Sequence, residues 1–273
     1  MRAGIIRWMF YLAALMVVGP VAASLLSSLR AADGSLSASP LVSVDPAGGL
    51  LRAIAAVTIA LMFGAAAARV SGVQTGLTTA GLVMAWVAWR SGQVQDMVRE
   101  SHSSGPLSRL AVEGAILGPL GVAMACVIVL ASRPAGEGTL RQRLWGGKGT
   151  IQACAIGLAA GGLAAWLVAV TPLKGQAVAA AIAAGAAAAA AARLADVHVP
   201  VASIAVPVAV LGVLGPIAGL VLAGSGNVVA ASYQGALAPI SHITPLDWIA
   251  GALLGIPMGV GWAGSMLEKR SVA

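Results

Sequence analysis

Long apolar runs alternate with short polar segments along this chain, and the runs set the expected elements. Eight of them fall near residues 6–26, 51–68, 73–89, 110–131, 151–170, 176–194, 199–223 and 247–266. Their length, close to 20 residues, suits helices crossing a hydrocarbon core about 30 Å thick. Barrel strands would instead alternate apolar and polar residues over about 10 positions. The third run is short and carries Gln74, Thr75, Thr78 and Thr79, and the sixth is nearly all alanine. The expected fold is an all-α, polytopic helical membrane protein of about eight transmembrane helices. It forms a single integral membrane domain over residues 1–273.

Composition sharpens this picture. Of 273 residues 59% are hydrophobic and 9% charged, with a mean hydropathy of +0.93. A soluble domain carries about 25% charged residues. Only a bilayer solvates so much apolar surface, provided the backbone is satisfied internally. The net charge of +7 does not indicate nucleic acid, because the basic residues stand singly at the ends of apolar runs. Membrane proteins keep them there. Cys126 and Cys154 both fall inside spans, so no disulfide scaffold is indicated.

Lysine and arginine set the expected orientation. With the N-terminus in the cytoplasm, the inner segments hold Arg2, Arg7, Arg69, Arg133, Arg141, Arg143, Lys148, Arg193, Lys269 and Arg270. The outer segments hold Arg30, Arg52, Arg90, Arg99, Arg109 and Lys174. The excess places both termini in the cytoplasm, in a membrane such as the bacterial inner membrane. Trp86, Trp89, Trp166 and Trp248 then fall near outer ends, and Trp8, Trp145 and Trp262 near inner ends, at interfacial depth. A competing reading takes Arg2, Arg7, the first apolar run and Val21-Ala22-Ala23 as a signal peptide, which leaves seven spans after cleavage. The inner segment 132–149 is basic; it reads as the orientation signal or, alternatively, as a site for anionic lipid headgroups.

Small residues point to close helix packing. Gly251, Gly255 and Gly259 form a stripe on the last span, expected to carry another backbone close by. The alanine-rich sixth span is expected among other helices, in this chain or a partner. Pro20, Pro119, Pro207, Pro216 and Pro257 each free a carbonyl within a span and shape the bundle or mark a cavity.

The chain also resembles itself. Val17-Val18-Gly19-Pro20-Val21-Ala22 is matched by Val213-Leu214-Gly215-Pro216-Ile217-Ala218. A long outer loop follows each, with Pro40 and Pro46 in one and Pro239 and Pro245 in the other. Asp45 and Thr244 are N-cap types followed by a proline suited to the first helical position, and Thr244 with Asp247 approximates a capping box. Spans one and two would thus repeat as spans seven and eight, in units 15–70 and 211–270, in parallel orientation.

Catalytic and metal motifs are missing. His102, His198 and His242 lie in loops or at span edges, and there is no His-Glu-x-x-His. The Gly146–Thr150 segment lacks the first glycine and the hydroxyl residue of a phosphate loop. No cofactor, metal or catalytic residue is expected, and the pattern leans away from an enzyme. Ionisable residues inside a bilayer call for a functional hypothesis. Glu113 is the strongest, one turn inside its span and four residues after Arg109, either as an interfacial ion pair or as a coupling carboxylate. Gln74 and its threonines hint at a polar path or at helix–helix hydrogen bonds. Asp45, Asp247 and His242 would form an outer polar cluster if the repeat holds.

Two readings of function follow. The first is a small-solute or lipid-type permease with a central cavity near Pro216 and Pro257. The alternative is a non-catalytic anchoring or scaffolding subunit. Partners under these readings are the lipid bilayer and either a homo-oligomer or other membrane subunits.

Overall fold

The computed structural model describes residues 2–132 and 139–272, with side chains for 4–132 and 139–268. Arg133 and the side chains of Arg2, Lys269 and Arg270 therefore lie outside the described residues. Among the described residues every regular element is helical.

The first span is α1 (Arg2–Ala13), a π-helical turn (Ala14–Val18) and α2 (Gly19–Ser24). Pro20 has no N–H to return to Met16. The chain absorbs the loss in the wider turn, where the Gly19 N–H reaches the Ala14 carbonyl. There follow α3 (Pro46–Ser71), α4 (Val73–Arg90), the short α5 (Val94–Ser101) and α6 (Gly105–Ala131). After these come the short α7 (Leu140–Trp145), α8 (Gly149–Val168), α9 (Lys174–Ala195) and α10 (Val201–Ala223). Short α11 (Val228–Gln234) and a 3-10 turn (Pro239–His242) lead into the last helix, α12 (Pro245–Val272). Seven of the described helical segments are long and apolar enough to cross a membrane, and α4 is not among them. It nevertheless runs the full depth of the bundle. Val73, Gln74 and Leu77 share a cavity with Arg193 and Val260, while Ser91, just past its last residue, contacts Thr244 and Lys174 at the other end. Its polar residues lower its hydropathy, and its burial against α2, α3 and α12 removes the need for an apolar surface. The protein is thus an integral membrane protein with an all-helical fold among the described residues, and α4 packs within the bundle beside the seven apolar helices.

The two ends of the bundle differ. One, the loop end, gathers residues 25–45, 91–104 and 224–244. The other carries α7 and the 196–200 turn. Helix α12 sits centrally and packs on α9, α4, α10 and α6, and its most extensive contact is with α9. These two helices run parallel. A Cβ on Gly251 would lie 2.3 Å from the Ala181 carbonyl carbon, one on Gly255 2.3 Å from the Ile182 oxygen, and one on Gly259 2.1 Å from the Ala186 oxygen. Gly185 answers from the other side, where a Cβ would lie 2.6 Å from the Gly251 oxygen. The alanines of α9 are spent inside the chain, against α12 on one face and α8 on another.

Large side chains cover the perimeter. Ile5, Met16, Leu51, Met62, Ile151, Leu163, Leu167 and Val221 are all exposed, as lipid contact requires. Six tryptophans are exposed or half-buried, but Trp248 is only 2% exposed and lies beside Gly212. It is a core residue and not the interfacial ring expected from its position near a span end.

Gly255→Ala is expected to destabilise the protein by about 1–3 kcal/mol, because backbone atoms of α9 must move. Gly261→Ala meets nothing within 4 Å and should change stability by less than about 0.5 kcal/mol. Unfolding of the two variants in detergent micelles checks this, and equal effects would refute a tight α9–α12 seam.

Candidate functional site: a buried ionic cluster under two proline loops

Lys174 occupies the first position of α9, where the positive end of the helix dipole disfavours a cation. It is stable there because Asp247 lies across the α9–α12 seam. The ammonium nitrogen is 2.7 Å from Oδ1 and 2.8 Å from Oδ2. A third bond goes to the Ser91 hydroxyl at 2.7 Å. Asp247 is fully buried. Its Oδ2 also accepts the Thr244 N–H at 2.9 Å and the Thr244 hydroxyl at 2.7 Å, which closes a capping box at the start of α12. One carboxylate thus caps a helix and neutralises a lysine.

Glu113, on α6, is buried as well. The Ser39 hydroxyl lies 2.5 and 2.6 Å from its two oxygens, and the Leu41 N–H donates to Oε2 at 2.9 Å. Both donors come from the loop before α3. That loop is pinned by its own turn, Val42 N–H to Ser39 carbonyl at 3.0 Å, and by the Gly92 N–H on the Ala38 carbonyl at 2.8 Å. Glu113 is within electrostatic reach of both Lys174 and Asp247. Helices α6, α9 and α12 therefore bring two carboxylates and one ammonium together under the loops.

The loop before α12 forms the rest of the cover. The Ser241 N–H bonds the Ala238 carbonyl at 2.8 Å, and Ser241, His242 and Thr244 are all buried. His242 Nδ1 and Trp248 Nε1 have no partner among the described residues. Burial holds the His242 imidazole below its ordinary range.

The other candidates scatter. Arg109 is exposed and lines a crevice with Asp33 and Glu100, so the expected Arg109–Glu113 ion pair does not form. The carboxylate takes neutral donors from the loop instead. Asp45 is exposed, caps α3 through the Gly48 N–H at 2.9 Å and lies 4.0 Å from Arg52, away from Asp247. The expected cluster of Asp45, Asp247 and His242 is therefore not formed, because Asp45 turns outward at its helix start. Gln74 and Pro257 line a cavity of roughly 450 Å³ at the opposite end, with Arg143, Arg193 and His198. Pro216 is buried in α10 and is not part of that lining. Thr79 is buried between the two ends with no partner for its hydroxyl among the described residues. Cys126 and Cys154 are free thiols.

Sequence reasoning treated Lys174 only as an orientation charge and passed over Ser39 and Ser91. The lysine left one usable signal, a cation at the first position of an alanine helix, against the dipole.

Lys174→Met should cost about 3–5 kcal/mol by leaving the Asp247 charge uncompensated, and adding Asp247→Asn should recover most of that loss. Unfolding of the singles and the double checks the coupling; additive losses would contradict the pair. His242 gives a pH prediction. Its folded pKa is depressed, so the stability tied to its neutral form is complete above the ordinary value of 6.5 and is lost as pH falls below it. His242→Gln should flatten that part of the stability profile, and an unchanged slope would contradict the burial account. Comparison with protein-family models, curated proteins and solved structures finds no match to the chain, so the reading of the site rests on its geometry.

Proposed function

We propose that the protein is a membrane permease for a small solute, held with its loop end closed. One observation carries this reading. A solute-sized, mainly apolar cavity that carries a few basic and amide side chains lies at one end of the same helices whose other end is closed by a hydrogen-bonded ionic cluster. The volume of roughly 450 Å³ is within the range of small-molecule sites. Gln74, Arg143, Arg193 and His198 line it and, among the described residues, no carboxylate does, which favours an anionic solute. A buried ion pair is a poor source of stability compared with apolar packing, so its presence in a bundle this apolar argues for a role in switching.

Opening the loop end requires Ser39 and Leu41 to release Glu113, and Ser91 to release Lys174. The Lys174–Asp247 pair then stays with the α9–α12 unit while the loops and α4 move. Both covering loops belong to the proposed repeat units, 15–70 and 211–270. The matched bonds from Val42 to Ser39 and from Ser241 to Ala238 support their equivalence. In the proposed orientation both termini are cytoplasmic, in a membrane such as the bacterial inner membrane, and the cavity faces the cytoplasm. The alternative of an anchoring subunit loses one argument, because the alanine helix is covered within the chain and the perimeter carries large residues.

The test is uptake of labelled small anions into proteoliposomes, with native mass and co-purifying chains measured on the same material. Wild-type protein should take up at least one anion as a monomer or homo-oligomer, and Arg143→Ala with Arg193→Ala should lower the rate about tenfold, as for loss of about 1.4 kcal/mol. In a background with Cys126 and Cys154 replaced by Ala, Gln74→Cys should be alkylated by an impermeant reagent from one side only. No uptake together with stoichiometric unlike partners would make the protein a subunit of a larger assembly.

A further inference from the structure

A second cleft lies at the end opposite the loops, and what it carries goes beyond the permease reading. Helix α7 is bracketed by two clefts. Arg143 faces the cavity described above, while Arg141 faces a cleft of roughly 810 Å³ between α7, the start of α8 and α10. Lys148, Thr150 and Ser203 line this cleft too. Its floor is the N-terminus of α8, a helix of 20 residues whose N-cap is Lys148 and whose first turn no side chain caps. The leading amides and the dipole there favour an anion. Thr150 points the same way, since it is 5% exposed, lines the cleft, and its hydroxyl has no partner among the described residues. Asp196 lies beside Gly149, as a Cβ there would be 3.1 Å from its Oδ2, but it binds the His198 N–H at 2.9 Å and does not line the cleft.

The cleft continues into a groove of roughly 720 Å³ between α6 and α10. Trp145 and Val206 line both, so the two share a wall. Pro119, Val127, Val210 and Val213 are typical of the groove, and among the described residues no charged one lines it. A basic, amide-rich cleft joined to an apolar groove at the end of a transmembrane helix has the polarity of an anionic phospholipid, head to tail. A free phosphate matches the first half only.

We infer that this composite cleft holds one anionic phospholipid, with the phosphate at Arg141, Lys148 and Thr150 and an acyl chain in the α6–α10 groove.

The test is native mass spectrometry of the full chain titrated with phosphatidylglycerol or phosphatidylcholine of equal chain length, followed by challenge with millimolar inorganic phosphate. Wild type should retain one phosphatidylglycerol about tenfold better than phosphatidylcholine, and phosphate should not displace it. Arg141→Ala with Lys148→Ala should erase the preference. Thr150→Val and Val210→Trp, which leave the basic residues in place, should each lower retention several-fold and decide the matter if the double variant does not fold. Equal retention of the two lipids by wild type would overturn the proposal. Displacement by phosphate with no effect of Val210→Trp would overturn it in favour of a free anion.

Discussion

The seam between α9 and α12 sets the rest of the bundle. Two parallel helices approach to backbone contact because Gly251, Gly255 and Gly259 remove every side chain from one stripe. In lipid this is the available route to strong association, since exclusion of tails from tails gains nothing. The seam also fixes register. Gly255 meets Ile182 and Gly259 meets Ala186, each 73 residues apart, and the same offset places Lys174 against Asp247. The ion pair is thus a consequence of glycine spacing several turns away. Parallel packing also brings two positive helix ends together beside a lysine, and Asp247 and Glu113 are the charges that offset them.

What the seam brings close, the two proline loops cover. Buried polar atoms inside a membrane bundle must find partners in the chain. The loops meet that demand with short local turns that aim N–H and hydroxyl groups inward: Ser39 and Leu41 at Glu113, Thr244 at Asp247. Each loop then ends in an N-cap and a proline, which restarts a helix immediately. Few residues are left over, and the loop end is compact although it carries the longest connections.

The helical spans were legible because an apolar run of span length has few alternatives. Their ends were less so. The sequence placed the start of the fourth span at 110 and of the sixth at 176, whereas α6 begins at Gly105 and α9 at Lys174. Both errors came from stopping at a charge. They hid the depth of Glu113 and the burial of Lys174, which are set by partners 72 to 74 and 73 residues away that no local pattern announces. Trp248 was misplaced for a similar reason, since packing of α12 against α10 and α6 buries the ring where an interfacial position was expected. Asp45 and Thr244 could be read as caps because capping is local, but whether a cap faces water or a lysine is tertiary information.

The same distinction bears on charge. At the loop end three basic groups are tied to the protein, Lys174 to Asp247, Arg99 to the Ser232 carbonyl at 2.6 Å and over the Tyr233 ring, and Arg30 to the Ser27 and Leu29 carbonyls, while Arg30, Arg90 and Arg109 are exposed. At the opposite end Arg141, Arg143, Arg193 and Lys148 line clefts, and of these Arg193 bonds the Val199 carbonyl at 2.8 Å. A count of lysines and arginines treats the two sets alike. Electrostatically they differ, because a cation paired inside the bundle projects little potential beyond it, while one lining an open cleft attracts anions over about a Debye length. The Lys174–Asp247 pair is close to neutral, so the charge asymmetry behind the proposed orientation is larger than the residue count suggests, and it falls at the end whose clefts are lined by basic groups.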